Sequence, residues 1–259
     1  MNNYGKLLNN LDYLNLIKIK DNLDKYIDLV NDKEKNFIDS LYELTNLEVS
    51  FVQDKRINGS IKVANFPYLK TFEDYDFSFQ PSLNKEKLLE LKNLRFIDNT
   101  ENILFVGSPG VGKTHLATAI GMETTKNRKL TYFINCNDLI DNLKRAYNEN
   151  RLEARIKFYC KYKVLIIDEM GFLPIDELGA NILFQLINKR YEKSTTIITT
   201  NKTFAKWPEI FGDPVIANAI LDRLLHHSIV FTINGRSYRT KNILELNLST
   251  MSKEENNIT

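Results

Sequence analysis

The stretch Gly107-Ser108-Pro109-Gly110-Val111-Gly112-Lys113-Thr114 decides the fold of this 259-residue chain. It fits the pattern G-x-x-x-x-G-K-[ST], in which glycines let successive backbone N–H groups point at one anion. The run before it, residues 103–106, is short, apolar and β-prone, and residues 114–120 have the composition and apolar spacing of a helix. A strand, a glycine-rich loop and a helix N-terminus in this order predict a binding site for nucleotide phosphates.

The phosphate-binding loop also predicts roles for single side chains. Lys113 is expected to reach the β- and γ-phosphates, and the Thr114 hydroxyl is expected to ligate Mg²⁺. ATP and Mg²⁺ are therefore the predicted cofactors. The residues of this segment predicted to bind the nucleotide are Gly107, Ser108, Pro109, Gly110, Val111, Gly112, Lys113, Thr114 and His115.

Composition narrows the class of protein. Hydrophobic residues make up 43% of the chain and charged residues 26%, as in ordinary soluble globular proteins. The net charge is only +2, so a nucleic-acid surface would have to come from local clustering. Cys136 and Cys160 have no C-x-x-C spacing, which argues against a disulfide framework and a zinc site. We expect a cytoplasmic protein, since no signal peptide or membrane-spanning apolar run is evident.

Residues 1–65 are predicted to form a small all-helical domain. Apolar residues recur three or four positions apart in two stripes, at Leu7, Leu8, Leu11 and Leu14 and at Leu23, Tyr26, Ile27 and Val30. Asn31-Asp32-Lys33-Glu34 resembles a capping box and predicts that a third helix opens there.

A linker and an ATPase domain are predicted over residues 66–249. Pro67 breaks the helical period, and the linker aromatics are expected to fasten this segment to the domain that follows. These aromatics are Phe72, Tyr75, Phe77 and Phe79. Residues 250–259 form a polar tail that we expect to be disordered.

Strands and helices then alternate along the chain. Besides the first strand, strands are predicted at 130–134, 164–167, 195–200 and 228–233, and helices at 85–97, 137–147, 152–159, 177–191 and 214–225. Asp213-Pro214 provides an N-cap and an N1 proline for the last helix. Apolar strands that alternate with helices predict an α/β fold, a parallel sheet sandwiched by helices.

Polar side chains end two of these strands, at the sheet edge where ligands of parallel sheets bind. Asp168 is expected to hold Mg²⁺ beside Thr114, and Glu169 to orient or deprotonate the attacking water. Asn201 ends the following strand, where an amide could position that water or sense the γ-phosphate. An asparagine that merely opens a turn is the alternative.

Hydrolysis also needs positive charge on the transferred phosphoryl group. Arg223 and Arg239 are the candidates, and for each the alternative is a surface salt bridge. His226 and His227 are adjacent, which places their side chains on different faces of a helix. Since no cysteine or carboxylate joins them in the sequence, a packing or interface role is expected rather than a metal site.

Further motifs surround the nucleotide-binding ones. They are Ala64-Asn65-Phe66-Pro67, residues 70–77, Gln80-Pro81-Ser82-Leu83, Leu94-Arg95-Phe96-Ile97, residues 168–174, residues 211–215 and residues 221–227. With them, the chain from about Arg56 to Lys241 closely resembles the IstB-type transposition helper ATPases. This family is part of the AAA+ superfamily, in the branch shared with DnaC-type helicase loaders.

The resemblance implies roles for the uncertain residues. Asn201 would be the sensor-1 residue, Arg223 an arginine finger that enters a neighbour's site, and Arg239 a nucleotide-binding sensor-2 arginine. It also implies little or no C-terminal helical lid, and few residues follow Arg239 from which to build one.

The resemblance implies partners as well. We expect an ATPase that forms homo-oligomers with shared nucleotide sites, assembles on duplex DNA and serves the transposase of the same element. Lys144, Arg145, Arg151 and Arg155 are the predicted DNA contacts. Helical spacing is expected to place Lys144, Arg151 and Arg155 near one face, and a solvated helix face is the alternative. Two other functions stay open: a helicase loader of the DnaC type, and a protein that uses ATP mainly to assemble.

Overall fold

The computed structural model describes residues 2–240 of the chain. The predicted polar tail, residues 250–259, lies outside the described residues. The predicted lack of a C-terminal lid concerns the chain after Arg239, of which all but residue 240 also lies outside them. The chain divides into two compact units between Ser60 and Ile61. The domain limits predicted at residues 65 and 249 stay predictions.

The first unit is helical, as predicted. It contains α1 (Asn3–Tyr13), α2 (Ile17–Asn31) and most of α3 (Phe37–Val63). The predicted capping box at residues 31–34 is wrong, because α2 continues through Asn31. Asn36 precedes α3 instead, and its Oδ1 accepts a hydrogen bond of 2.8 Å from the Asp39 backbone N–H.

A buried glutamate holds this unit together. Glu48 of α3 is only 5% exposed. Its Oε2 accepts hydrogen bonds from the backbone N–H groups of Lys18 and Ile19, at 2.6 and 3.1 Å. These donors belong to the first turn of α2, where backbone N–H groups have no partner within the helix. A carboxylate from α3 therefore caps α2 and complements the positive end of its dipole.

The second unit is a five-stranded parallel sheet with helices on both faces. Its strands are β1 (Asn102–Gly107), β2 (Thr131–Asn135), β3 (Val164–Met170), β4 (Thr195–Thr200) and β5 (Ser228–Ile233). Their order across the sheet is β2-β3-β4-β1-β5, and all neighbouring pairs are parallel. The predicted α/β architecture is confirmed.

The helices of this unit follow the predicted alternation. They are α4 (Lys85–Leu89), α5 (Arg95–Asp98), α6 (Lys113–Lys126), α7 (Cys136–Asn148), α8 (Leu152–Cys160), α9 (Glu177–Arg190), α10 (Trp207–Phe211) and α11 (Pro214–Leu225). The single helix predicted over 85–97 is wrong. A 3-10 turn follows α4, and Leu94 has a left-handed backbone with φ of 60°, which no continuous α-helix accommodates.

Both faces of the sheet are covered by apolar side chains. On β3, Leu165 and Ile167 pack with α7, α9 and α11, whereas Val164 and Ile166 pack with α6 and α5. Successive side chains of a strand point to opposite faces, so a strand buried on both sides is apolar at every position. This packing explains the continuous apolar runs in the sequence and brings the strand ends to one edge.

A buried arginine connects α9 to the end of α8, to the loop before β3 and to β4. Arg190 is 1% exposed, and its guanidinium donates to the carbonyl oxygens of Tyr159, Tyr162 and Thr195. It also donates to Thr196 Oγ1. Five donors in a planar fork suit this role, which a lysine could not fill.

Replacing Arg190 by alanine should leave three buried carbonyl oxygens without their donor. We expect Arg190→Ala to lower the free energy of unfolding by about 3 kcal/mol, since each buried unsatisfied group costs about 1 kcal/mol or more. Urea denaturation measures the change. The exposed neighbour Lys189 supplies the control, and Lys189→Ala should cost less than about 0.5 kcal/mol. Equal decreases in the free energy of unfolding for the two variants would contradict the stabilising role of Arg190.

Candidate nucleotide-binding site

The loop between β1 and α6 has the backbone that phosphate binding requires. Gly110 and Gly112 have φ of 81° and 97°, in the left-handed region that favours glycine. A Cβ atom on Gly112 would lie 2.5 Å from Cε2 of Tyr75, so this position has no room for a side chain. The Tyr75 hydroxyl donates to the Val111 carbonyl oxygen at 3.1 Å. The linker thus packs directly on the phosphate-binding loop.

The Lys113 ammonium lies against this loop. Its Nζ donates to the carbonyl oxygens of Gly107 and Ser108, both at 2.8 Å. Burial lowers the pKa of the Lys113 side chain from its usual range, and the nearby Asp168 carboxylate opposes this shift. A partly desolvated cation at the first turn of α6 is suited to neutralise a phosphate group.

Asp168 is buried between two hydroxyl groups. Its carboxylate accepts hydrogen bonds from Thr114 Oγ1 at 3.0 Å and from Thr199 Oγ1 at 2.5 Å, and the residue is 5% exposed. Burial raises the pKa of the Asp168 carboxyl, and the two hydroxyl hydrogen bonds lower it in part. A buried carboxylate beside a hydroxyl provides the oxygen ligands that Mg²⁺ prefers, so these residues fit the predicted ion.

Glu169 has an irregular backbone at the sheet edge. The pairing of β3 with β4 shifts register between Ile167 and Met170, and Glu169 has φ of 59°. The sequence predicted that this strand ends in Asp168-Glu169, and in the structure it continues past the bulge to Met170. A β-bulge turns the side chains beside it, and here it separates the exposed Glu169 from the buried Asp168.

Asn135 holds the Glu169 carboxylate and was missed in the sequence. Its Nδ2 donates to Glu169 Oε2 at 2.8 Å, while its Oδ1 caps the first turn of α7 through the Asn137 N–H. Thr199 was also missed. Its hydroxyl donates a hydrogen bond to the Asp168 carboxylate, and its Oγ1 accepts one of 2.9 Å from the Glu169 backbone N–H, so this residue contacts both acids. The signal for Asn135 was present, because it directly follows the predicted strand 130–134, as Asn201 follows 195–200.

Most predicted nucleotide-binding residues surround one cavity. It is lined by the phosphate-binding loop from Pro109 to His115, by Glu169, and by Asn201 and Arg239. The linker adds the lining residues Tyr68, Asp74, Tyr75, Asp76, Phe79 and Gln80. The sequence predicted that the linker would be fastened by its aromatic residues, but not that it would form a wall of this cavity.

His115 faces the linker side of the cavity. Its Nε2 lies 2.8 Å from the Thr71 carbonyl oxygen, and its ring meets that of Tyr75 edge to face. Burial lowers the pKa of the His115 imidazole. A neutral ring fixed in this way supports the linker, and its predicted contact with nucleotide stays a prediction.

Arg223 does not line the cavity of its own chain. Its Nε donates to Asn188 Oδ1 at 2.8 Å, and its guanidinium lies 4.7 Å from the Phe184 ring centre. Both contacts are with α9. The predicted role of Arg223 in a neighbour's site remains a prediction.

The basic residues predicted to contact DNA do not share one helix face. Lys144 is on α7 and forms an ion pair of 2.6 Å with Asp176. The chain then leaves the helix between Asn148 and Leu152, so helical spacing does not extend from Lys144 to Arg151 and Arg155. The other three predicted contacts line a common groove between α7 and α8, together with Phe158. They are Arg145, Arg151 and Arg155.

The structure places His226 and His227 after the end of a helix, whereas the sequence predicted them on one. α11 ends at Leu225, so the helix-face argument does not apply to them. The Glu192 carboxylate lies beside both rings, at 3.6 Å from His226 Nδ1 and 3.7 Å from His227 Nε2. A carboxylate therefore does join these histidines, contrary to expectation, and it was missed because Glu192 is remote from them in sequence.

A phosphate-binding loop, a buried carboxylate beside its threonine and a five-stranded parallel sheet define a P-loop ATP-binding protein with the AAA+ fold. The family described as IstB-like ATP binding protein matches residues 9–245. The chain belongs to this family. Within residues 2–240, none of the helices combines the length and apolar character needed to cross a bilayer.

Three comparisons agree with this assignment. The chain is 51% identical over 240 residues to the ATP-binding protein of insertion sequence IS232 from Bacillus thuringiensis subsp. berliner, covering 93% of this chain and 96% of the relative. It is 48% identical over 206 residues to the corresponding protein of IS5376 from Geobacillus stearothermophilus, covering 80% and 82%. The crystal structure of the DnaC helicase loader aligns with a TM-score of 0.50 and 25% identity, covering 57% of this chain and 86% of that one.

The burial of Asp168 predicts a pH-dependent stability effect. A pKa raised by folding means that ionised Asp168 destabilises the nucleotide-free protein, and that this cost disappears as pH falls toward the unfolded value of about 3.9. We expect Asp168→Asn to raise the melting temperature at pH 7.5 in EDTA, with a smaller gain at pH 5.

Asp176→Asn is a matched control, for which the expected change in melting temperature has the opposite sign. Its ion pair with Lys144 is the main reason for the lowered pKa of its carboxyl. Asp176→Asn should therefore lower the melting temperature at pH 7.5. Thermal unfolding measures both variants, and a lower melting temperature for Asp168→Asn at every pH would contradict the interpretation.

Proposed function

We propose that this protein hydrolyses ATP with Mg²⁺ to ADP and phosphate, and that the ATP-bound form assembles on duplex DNA and assists the transposase of its insertion sequence. The observation that carries the proposal is the grouping of Lys113, Thr114 and Glu169 around one cavity, with the buried Asp168 hydrogen-bonded to Thr114, in a chain of the IstB-like family.

The phosphate side of the cavity supports hydrolysis. Lys113 supplies a cation for the β- and γ-phosphates, while Thr114 and Asp168 hold Mg²⁺, which neutralises developing phosphoryl charge when bound. Glu169 orients or deprotonates the attacking water, and Asn201 assists from the end of β4. Asn135 positions the Glu169 carboxylate through its hydrogen bond of 2.8 Å.

The arginines support a shared site between subunits. Arg239 lines the cavity of its own chain, which favours direct contact with the nucleotide. Arg223 does not line this cavity, so we place its guanidinium in the neighbouring subunit's site, which it would reach by leaving its contacts with α9. A contact between different surfaces of two copies is heterologous, and it generates a ring or an open helix.

The groove between α7 and α8 supports DNA contact. Arg145, Arg151 and Arg155 line it together with Phe158. The Arg155 guanidinium lies 5.5 Å from the centre of the Phe158 ring. We propose that these three arginines contact backbone phosphates. Such contacts bind any sequence and weaken with salt. Arg151 is paired with Glu149 in this structure, as Lys144 is with Asp176.

A helicase loader is the second candidate, supported by the fold shared with the DnaC loader. Transposition is favoured because the more similar relatives are named as insertion-sequence proteins, at 51% and 48% identity. The two functions differ in the nucleic acid they are expected to engage, duplex or single-stranded.

DNA binding should depend on the nucleotide that the protein holds. With ATP, the protein should bind labelled duplex DNA more tightly than single strands, and its affinity should fall with salt by a logarithmic slope of about −0.9 per phosphate contact. Fluorescence anisotropy at two salt concentrations measures this. ADP should reduce binding, and Lys113→Ala should abolish the effect of ATP.

Glu169→Gln separates turnover from assembly. This variant should retain ATP and remain on duplex DNA after the wild-type protein has released it. A preference for single strands would favour the helicase loader. Binding that is equal with ATP, with ADP and without nucleotide would contradict the proposed switch.

Mixing two inactive variants tests the shared site. Glu169→Gln has a defective site but keeps Arg223, whereas Arg223→Ala keeps Glu169 but lacks the finger. In an equal mixture, about a quarter of the sites should combine an intact glutamate with a neighbour's arginine if subunits assemble at random. We therefore expect ATP turnover to reappear on mixing. No recovery, although the two variants co-assemble, would contradict a finger supplied in trans.

A further inference from the structure

A cluster of potential metal ligands lies away from the nucleotide cavity, at the ends of α9 and α11. Glu192 follows α9, and His226 and His227 lie between α11 and β5. One ligand atom from each of these three residues lies within 4.8 Å of the other two. The two imidazole rings are 4.1 Å apart between centroids. None of the three residues lines the nucleotide cavity.

We propose that Glu192, His226 and His227 form a binding site for a divalent transition-metal ion of the zinc type. The ligand atoms are Oε1 of Glu192, Nδ1 of His226 and Nε2 of His227. Imidazole nitrogen and carboxylate oxygen are ligands that Zn²⁺ uses in proteins, and two histidines with one glutamate are a known ligand set. The proposal does not depend on ATP hydrolysis or on DNA binding.

The cluster needs little rearrangement to hold an ion. Ligands at about 2.0–2.1 Å from a tetrahedral Zn²⁺ lie roughly 3.3 Å from one another. Glu192 Oε1 is already 3.6 Å from His226 Nδ1 and 3.7 Å from His227 Nε2. All three side chains are about half exposed, so side-chain rotation is sufficient to bring their ligand atoms closer together.

A hydrogen bond with Tyr191 favours the metal-binding form of His226. The Tyr191 hydroxyl lies 2.7 Å from Nδ1 of His226. When the phenol donates, Nδ1 is the unprotonated nitrogen of the ring, which is the form that binds a metal. The ion would take the place of that hydrogen bond, and Tyr191 would remain beside the open fourth position.

The site lies at the end of the helix that carries Arg223. His226 comes one helical turn after Arg223, whose own contacts are with Asn188 and Phe184 of α9. A bound ion would link the residue that follows α9 to the end of α11. Since Arg223 already joins the same two helices, occupancy would further fix their relative position at the predicted subunit contact.

The test is titration of the tag-free protein with Zn²⁺ against a chromophoric chelator. We expect one tightly held ion per chain, and an affinity at least about tenfold lower in His226→Asn, His227→Asn and Glu192→Gln. Affinity should also fall between pH 7.5 and pH 6, because protons compete for imidazole. Co²⁺ in place of Zn²⁺ should give visible d–d bands without a thiolate charge-transfer band.

Two controls exclude other ligands. Cys160→Ser removes the more accessible thiol, and His115→Asn removes the third histidine of the chain. Both should keep the wild-type zinc affinity, and circular dichroism should confirm that each variant is folded. Zinc affinity that is unchanged in all three ligand variants, or the absence of a stoichiometric site, would overturn the proposal.

Discussion

The hydrogen bonds from Thr114 and Thr199 to the buried Asp168 carboxylate hold the nucleotide site together. They join the first turn of α6, the end of β3 and the end of β4 at a single acid. Burial makes the charge of this acid costly, as the raised pKa of its carboxyl reflects. A cation beside it would relieve that cost, so the burial of Asp168 would favour the Mg²⁺ that we propose to accompany ATP.

The sheet brings the rest of the site to the same edge. Parallel strands end on one side, so Asn135, Asp168, Glu169 and Asn201 converge there from three neighbouring strands. Thr199 contacts both acids, through its hydroxyl to Asp168 and through the Glu169 N–H. The linker closes the opposite side, where Tyr75 packs on Gly112. The linker is thus in direct contact with the phosphate-binding loop.

Much of this arrangement could be predicted from local sequence. The phosphate-binding loop, the apolar strands and the alternation with helices specify the parallel sheet, because each signal lies within a few consecutive residues. Contacts between remote segments could not be predicted in this way. Three such contacts depend on how the ends of strands or helices meet in space: Thr199 with Asp168, Asn135 with Glu169, and Glu192 with the two histidines. The break at Leu94 and the bulge at Glu169 were missed because left-handed backbone at a non-glycine residue has no clear sequence signal.

We propose that Asp168 and Thr114 hold the metal ion of bound ATP. Mn²⁺ in place of Mg²⁺ permits a direct test by electron paramagnetic resonance, with a non-hydrolysable ATP analogue present. We predict one bound Mn²⁺ per chain for the wild-type protein and an affinity at least about tenfold lower for Asp168→Asn. Equal Mn²⁺ affinity in the two proteins would contradict the claim.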